Sequence, residues 1–421
     1  TADDGARPDN AGTGVVEIVT DDMPFLVESV LAGIGRAGVE VLRVIHPIVV
    51  VRRTSEGRLI DVLTDADPAD PPQDTIVESW MRVDLAQAAP EALEAELLRV
   101  LHDTREVVGD AQPMLATARS LADQLETETA AVPAGGTPPR QIAELLRWLA
   151  SGHFTFLGHR YYKRVPGVES MEPEGPGLGV LRGDTDAGQI YAPSVDGISA
   201  PPNDRLVITR ASAPSRVLRP VHPYYVAIRM VDADGRTCGE HRFLGMLTVR
   251  ALYENVLDIP VVSQRVRAAI HRAGFPLNSY SGTKMLEVIS ELPREELFTA
   301  SEESLHDTAV GVLAVVRRRQ VRVFLRPDPY RRFVSALVYL PRDRYTTASR
   351  LRMVDVLQRY FDNPHVEHTA RVWESSLALV HFIVGTDPAA SLWDTATGEL
   401  RVDVSALQDE LAGAIRTWDD C

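Results

Sequence analysis

The stretch GVVEIVTDDMPFLVESVL (residues 14–31) carries the clearest local signal for the fold, a strand that turns directly into a helix. The apolar run 14–19 predicts a strand, and Leu26, Val30 and Ile34 recur at helical spacing and predict a helix over 26–37. The first N–H groups of a helix have no partner within that helix, and they favour anions. The corner between strand and helix is therefore either plain structure or a place where a ligand binds.

The residues after the corner complete a β-α-β-β-α order over residues 14–110. A long apolar stretch, 39–53, is interrupted by Pro47, which suggests an edge strand or a bulge. Residues 75–85 alternate as in a strand, and 90–108 have the pattern of an amphipathic helix. This order predicts most of a ferredoxin-like (βαββαβ) unit whose last strand is not obvious. We expect residues 1–13 to be a disordered leader and 111–139 to be a helix and a linker.

The rest of the chain predicts two more units. Residues 140–300 contain a helix, about five strands (GLGVLRG at 177–183 among them) and helices at 260–273 and 282–291, as in an antiparallel sheet with helices to one side. The Pro-, Gly- and acid-rich insertion 165–204 is expected to be an exposed, mobile loop. Residues 301–421 begin with a helix and a hairpin and then repeat the β-α-β-β-α order from 332 onward. The predicted fold class is multidomain α+β.

Composition excludes several classes of partner. The formal net charge, 44 − 59 = −15, argues against nucleic acid or an anionic membrane as the main partner. No apolar run approaches the roughly 18 residues of a membrane span, and the acidic N-terminus does not resemble a secretory signal. Cys238 and Cys421 are too few and too far apart for a disulfide framework. We therefore expect a cytoplasmic protein.

One basic segment departs from the acidic average. Residues 315–333 carry seven arginines. They are interpreted either as the solvated face of an edge hairpin or as an anion site or a contact with an acidic partner domain. The candidate interface residues are Arg318, Arg322, Arg331 and, in the later loop 341–345, Arg342.

Motifs for catalysis, cofactors and metals are not apparent. GLGVLRG has the glycines of a dinucleotide loop, but no buried strand precedes it and no helix follows it, so we interpret it as a loop. His153 and His159 are expected on one face of a strand but roughly 20 Å apart. Cys238, Glu240 and His241 lack a second spaced pair. The sequence predicts no catalytic, cofactor-binding or metal-binding residue.

The corner could nevertheless bind a free amino acid. The N–H groups of Phe25 and Leu26 would meet its carboxylate, and Asp21 or Asp22 would hold its ammonium, against the strand around 44–47. In the alternative interpretation, Asp22 caps the helix and Met23 and Phe25 pack. The candidate effector residues are Asp21, Asp22, Met23, Pro24, Phe25, Leu26, Val44 and His46.

Several strings in fixed order resemble the N-terminal half of the large bacterial NAD-specific glutamate dehydrogenases. They are ESWM, GHFTFLG, GEHRFLG, HRAGFP, LPREELF and RFVSALVYLPRDRY, and the similarity covers residues 15 to 390 or so. The resemblance implies ACT-type units flanking a PAS-like or ACT-like domain, with the catalytic domain farther along the polypeptide. The family's enzyme is a homotetramer that converts glutamate, water and NAD to 2-oxoglutarate, ammonium and NADH, and some members respond to amino-acid effectors.

The resemblance therefore implies a regulatory or assembly region that is itself inactive. NAD would be used by the parent enzyme, with no cofactor in this chain. The implied partners are its own catalytic domain, sister subunits and an amino-acid effector. A purely structural oligomerisation module without a small ligand is the alternative. The corner resembles the β1–α1 loop of ACT domains, where the pattern is acidic residue, any residue, Pro, Gly, Leu. Phe25 stands here where that pattern has glycine.

Overall fold

The computed structural model describes most of the chain. The described residues are 13–128, 136–165, 167, 170–183, 191, 204–316, 320–372, 376–387, 390, 392–394 and 399–416.

The first unit is an antiparallel sheet covered on one face by two helices. Its elements are β1 (Gly14–Asp21), α1 (Leu26–Arg36), β2 (Val41–Ile45), β3 (Ile48–Arg53), β4 (Leu59–Leu63), β5 (Ile76–Leu85) and α2 (Glu91–Gly109). The strand order is β1-β5-β3-β4, and β2 also pairs with β5. Ile18, Val30 and Val83 are buried in its core together with Leu93 and Leu97 of α2.

Two features of this unit differ from the expectation. The stretch interrupted by Pro47 is two strands, β2 and β3, which pair with different ends of β5. The hairpin strand β4 was not predicted. After α2 the chain continues into another helix, α3 (Ala111–Thr127), and within the described ranges β1 pairs with β5 alone.

The middle unit contains an antiparallel sheet. Its elements are α4 (Pro139–Trp148), a π-helical turn (Leu149–His153), β6 (Phe154–Arg164), β7 (Met171–Pro173), β8 (Leu178–Gly179), β9 (Leu206–Arg210), β10 (Tyr224–Val231) and β11 (Thr237–Leu247). The strand order is β7-β6-β11-β10-β9, with β8 also on β6. Residues of helices α3 and α4 pack on one face of this sheet. Most of the insertion expected to be mobile lies outside the described residues.

The glycine-rich segment 177–183 forms only the short strand β8 and a turn, so the expectation of a full strand is wrong there. Gly179 has a φ of 57°, and a Cβ at this position would lie 2.2 Å from the carbonyl oxygen of Leu157. The glycine therefore allows the backbone to approach β6 closely. Within the segment, the residues after β8 form a turn, and the residues that follow it, 184–190, lie outside the described part of the chain.

A group of helices connects the middle unit to the third unit. They are α5 (Val249–Tyr253), α6 (Val262–Arg272), α7 (Tyr280–Glu291), α8 (Arg294–Thr299) and α9 (Glu302–Val316). Their buried side chains belong to the same hydrophobic core as Phe156 and Phe243 of the middle sheet.

The third unit has a four-stranded antiparallel sheet. Its elements are β12 (Arg322–Pro327), β13 (Phe333–Pro341), a 3-10 turn (Arg342–Arg344), α10 (Thr347–Tyr360), β14 (Val366–Val372), β15 (Leu377–Gly385) and α11 (Val404–Ala414), and the strand order is β12-β13-β15-β14. One face packs on α10 and α11. Leu337, Tyr339 and Leu379 on the other face join the core shared with the connecting helices. The sheet is therefore covered on both faces.

The fold is α+β with antiparallel sheets, as predicted. None of the helices in the described ranges has the length and hydrophobicity that crossing a bilayer requires.

Candidate functional site

The corner between β1 and α1 is built around a residue in a left-handed conformation. Phe25 precedes the helix with a φ of 69°, and no side chain caps the helix. Asp22 instead accepts a hydrogen bond from Ser79 Oγ at 2.5 Å, and His46 Nε2 lies 2.9 Å from the same oxygen. The alternative in which Asp22 caps the helix is therefore wrong. Asp22 and His46 are tied to β5 through a buried serine.

The corner also contacts the middle unit. The side chain of Phe25 packs against the hydrophobic cluster that contains Val217 and Tyr225. Ser29 Oγ donates to the carbonyl of Phe25 at 2.5 Å and accepts from the N–H of Leu218 at 2.8 Å. The corner is thus part of a contact between two units.

The remaining candidate effector residues occupy different places around the corner. Met23 and Val44 pack against the core of the first unit. Asp21 is exposed and lies opposite Glu78 in the β1–β5 pair. The N–H groups of Phe25 and Leu26 have no hydrogen-bond partner among the described residues. The structure therefore brings free donors and the carboxylate of Asp22 to the same corner, while Val44 faces inward.

The candidate interface arginines are dispersed. Arg318 lies outside the described residues. Arg322 is exposed on the edge strand β12, 5.7 Å from the ring of Phe324. Arg331 lies 5.9 Å from the ring of Trp393, and Arg342 is exposed in the 3-10 turn.

Two other arginines of the basic segment make contacts that the sequence did not assign to them individually. Arg326 forms a two-pronged ion pair with Glu296 of α8, at 2.8 and 2.9 Å. Arg332 binds the buried carboxylate of Asp328 and donates to Thr209 Oγ1 at 3.1 Å. A solvated face is therefore wrong for these two arginines. They bind the connecting helices and the middle unit.

Burial and charge pull the pKa of Glu296 in opposite directions. Burial alone would raise it, but the Arg326 guanidinium and the His381 imidazole hold this pKa well below its usual range. Ser335 Oγ also donates to Glu296, at 2.6 Å. The carboxylate therefore has both ion-pair and hydrogen-bond partners, and we interpret its role as structural.

Two histidines that are distant in sequence meet in the middle sheet. His159 Nε2 and His241 Nδ1 are 3.0 Å apart on the neighbouring strands β6 and β11. Burial lowers the pKa of His159 to about 3, with a contribution from His241, and lowers that of His241 to about 4. His153 does not share their strand, because it lies in the preceding turn beside Glu254. No group of three or more metal-ligating side chains occurs among the described residues.

Comparison with known proteins assigns the family. Family models described as the ACT1 domain, helical motif 1 and the ACT2 domain of glutamate dehydrogenase match residues 7–101, 259–318 and 322–419. The NAD-specific glutamate dehydrogenase of Mycobacterium tuberculosis is 36% identical over 98% of this chain. That of Pseudomonas aeruginosa is 33% identical over 96%. The chain belongs to the large NAD-specific glutamate dehydrogenase family.

The matched segments follow the units of the structure. The ACT1 segment covers β1 to most of α2, the helical-motif segment covers α6 to α9, and the ACT2 segment begins with β12 and extends past α11. The chain spans about a quarter of the length of its relatives, 25% in each case. It therefore corresponds to the ACT-containing region of these glutamate dehydrogenases.

Proposed function

We propose that this chain is the non-catalytic regulatory region of an NAD-dependent glutamate dehydrogenase and that it senses a small effector. The observation that carries the proposal is the docking of both ACT-type units onto one middle unit. Phe25 and Ser29 of the first unit and Arg332 of the third reach the middle unit from two sides. A ligand that shifts either ACT-type unit would therefore act on a shared element.

We further propose ferredoxin-like ACT units at 14–110 and 301–421 and a PAS-like unit at 140–300. In the third unit β12 lies beside β13, where it completes a four-stranded sheet around the β-α-β-β-α order. In the middle unit β6 and β11, its first and last strands, are central neighbours, which supports a PAS-like rather than an ACT-like sheet.

The corner is the first candidate place for an amino-acid effector. The free N–H groups of Phe25 and Leu26 suit a carboxylate, since the helix N-terminus adds a favourable dipole. The carboxylate of Asp22 suits an ammonium, although it already accepts a hydrogen bond from Ser79. The glutamate dehydrogenase reaction, the use of NAD and the homotetramer belong to the longer protein in this proposal.

Assembly without a small ligand is the second candidate function. It is favoured by the outer face of the first sheet, where Val15, Val19 and Ile45 are 44%, 57% and 44% exposed. Exposed apolar side chains on a sheet face are typical of a surface that another subunit covers. Sister subunits and the catalytic domain are the partners in this proposal.

Calorimetric titration of the chain with the twenty amino acids distinguishes the two functions. Sensing predicts one saturable heat. If none of the twenty amino acids gives a binding heat, and the mass measured by light scattering increases with protein concentration, the chain is an assembly module.

A further inference from the structure

A cleft of about 510 Å³ lies between the middle unit and the third unit. Its walls come from the loop 210–224, the start of α8 at Pro293–Glu295, and the strands β14 and β15. Its volume is within the range of small-molecule pockets, roughly 300 to 1,000 Å³. We call it the interunit cleft.

Positive charge exceeds negative charge in the interunit cleft. Arg210 is neutralised by Glu367, whose carboxylate lies 2.7 Å away. Arg219, Arg294 and Arg371 also line the cleft, and none of them has a carboxylate partner among the described residues. Among the described residues of the lining, Glu295 is the only other acidic one. The cleft therefore offers guanidinium groups to an anion.

Arg294 is the most constrained of these arginines. It is only 9% exposed, and its Nε and Nη2 donate to the carbonyls of Leu252 and Glu254 at 3.0 and 2.6 Å. Its third nitrogen, Nη1, is buried without a hydrogen-bond partner in the described part of the chain. A buried charge without a counter-ion is unfavourable, and a carboxylate would supply one.

Arg371 projects from β14 on the opposite wall and acts on the same region. Burial lowers the pKa of Arg294, and the positive charge of Arg371 lowers it further. Both guanidiniums also influence Tyr224, whose pKa is raised well above its usual value by burial and by Glu295. Two like charges, a half-buried phenol and a carboxylate thus line the cleft from both units. Met246 and Ile383 add apolar surface.

We propose that the interunit cleft binds a small organic carboxylate, held by Arg294 from the connecting helices and Arg371 from the third unit. The inference rests on the proposed effector-sensing function and deepens it by naming a site and a ligand class. Because the two arginines belong to different units, the bound carboxylate stabilises their docking. A ligand here therefore strengthens the attachment of the third unit to the middle unit.

The test is calorimetry on the 421-residue chain with L-glutamate, 2-oxoglutarate, succinate and inorganic phosphate. We expect saturable binding of at least one carboxylate. Arg371→Gln should weaken that binding at least tenfold, since a hydrogen bond between charged groups is lost. Arg267→Gln, at an exposed arginine of α6, is the matched control and should leave binding unchanged. Arg294→Lys keeps the positive charge but replaces the planar guanidinium, which can bind a carboxylate through two nitrogens, with an ammonium. It should also weaken binding.

Each outcome separates this inference from the proposed function. Carboxylate binding that survives both Arg371→Gln and Arg294→Lys overturns the cleft but leaves effector sensing intact, with the binding site elsewhere. Binding of phosphate alone overturns the ligand class. If none of the four probes gives a binding heat, the cleft is not a carboxylate site. The titration of the same protein with the twenty amino acids then decides independently whether it senses an effector.

Discussion

At the residue scale, Phe25 combines a left-handed backbone conformation, which is unfavourable, with a side-chain contact to the middle unit, which is favourable. Its φ of 69° lies in the left-handed region, which costs a non-glycine residue about 1–2 kcal/mol. Its ring packs against the middle unit. Glycine, which the ACT pattern has here, would relieve the backbone but would remove the contact. The resemblance located the position, and only the structure shows what the phenylalanine contacts.

Comparing two variants of Phe25 separates these effects. Phe25→Ala loses the packing and keeps the backbone strain, whereas Phe25→Gly loses the same packing and relieves the strain. We therefore expect both to be less stable than the native chain, with the glycine variant more stable than the alanine variant by up to about 1 kcal/mol. Urea unfolding of the two variants measures the difference. An alanine variant more stable than the glycine variant would show that the strain is not significant.

Asp22→Ala tests whether the corner binds a ligand. The change removes the hydrogen bond from Ser79 and should lower the free energy of unfolding by about 1 kcal/mol. If the corner also holds an effector's ammonium, affinity should fall roughly 10- to 150-fold. Asp21→Ala, at an exposed neighbour, is the stability control. Chemical unfolding and calorimetry on the same preparations measure both quantities. Unchanged affinity would exclude Asp22 as a ligand of the effector.

The histidine pair predicts a pH-dependent stability. The folded-state pKa values of about 3 and about 4 lie below the usual 6.5, so the unfolded chain binds more protons between about pH 4 and 6.5. Stability should therefore be unaffected above pH 6.5 and should fall as pH decreases below it. Each histidine contributes up to about 1.4 kcal/mol per pH unit. Urea unfolding at pH 5 to 8 measures the free energy of unfolding at each pH. This free energy should depend less on pH in His241→Gln than in the native chain, and as much as in the native chain in His102→Gln, an exposed control.

At the element scale, periodicity located most helices and strands because it reflects which face is buried. Thus α1 and β5 lie close to their predicted bounds. Pairing between distant strands leaves no such local pattern. The meeting of His159 with His241 depends on the register of β6 against β11, which the sequence does not specify. The same holds for Arg326, whose partner Glu296 is 30 residues earlier, and for the interunit cleft.

The short helix α8 depends on the charge of Glu296. Glu296→Gln would remove the carboxylate that forms the bidentate ion pair with the half-buried Arg326, and should destabilise the chain by about 3–5 kcal/mol. Because the folded-state pKa of Glu296 is well below its usual value, its contribution is present above about pH 4.5 and is lost as pH falls toward that folded pKa. Thermal unfolding at pH 7 measures the loss, with Glu302→Gln as the exposed control. Equal stability of the two variants would contradict this role.

At the scale of the whole molecule, buried contacts join the three units at a few positions. Asp110, between α2 and α3, is 3% exposed and accepts from the N–H of Gly179 at 2.7 Å. On the other side, the turn between β12 and β13 places Asp328 and Arg332 against β9. We call these two contacts joints. Neither could be predicted from the sequence, because each depends on how separately predicted units dock.

The joint made by Arg332 predicts the cooperativity of unfolding. Its guanidinium donates to Ser212 Oγ at 3.0 Å, to the carbonyl of Arg210 at 2.9 Å and to Asp328. Arg332→Gln would remove these bonds and leave the carboxylate of Asp328, 2% exposed, without its cation. We expect the third unit to unfold first, so that a single calorimetric transition becomes two. Arg331→Gln, which removes only the contact with the Trp393 ring and leaves the backbone bonds, should retain one transition. If Arg332→Gln also unfolds in one step near the native temperature, the shared hydrophobic core couples the units and the joint is dispensable.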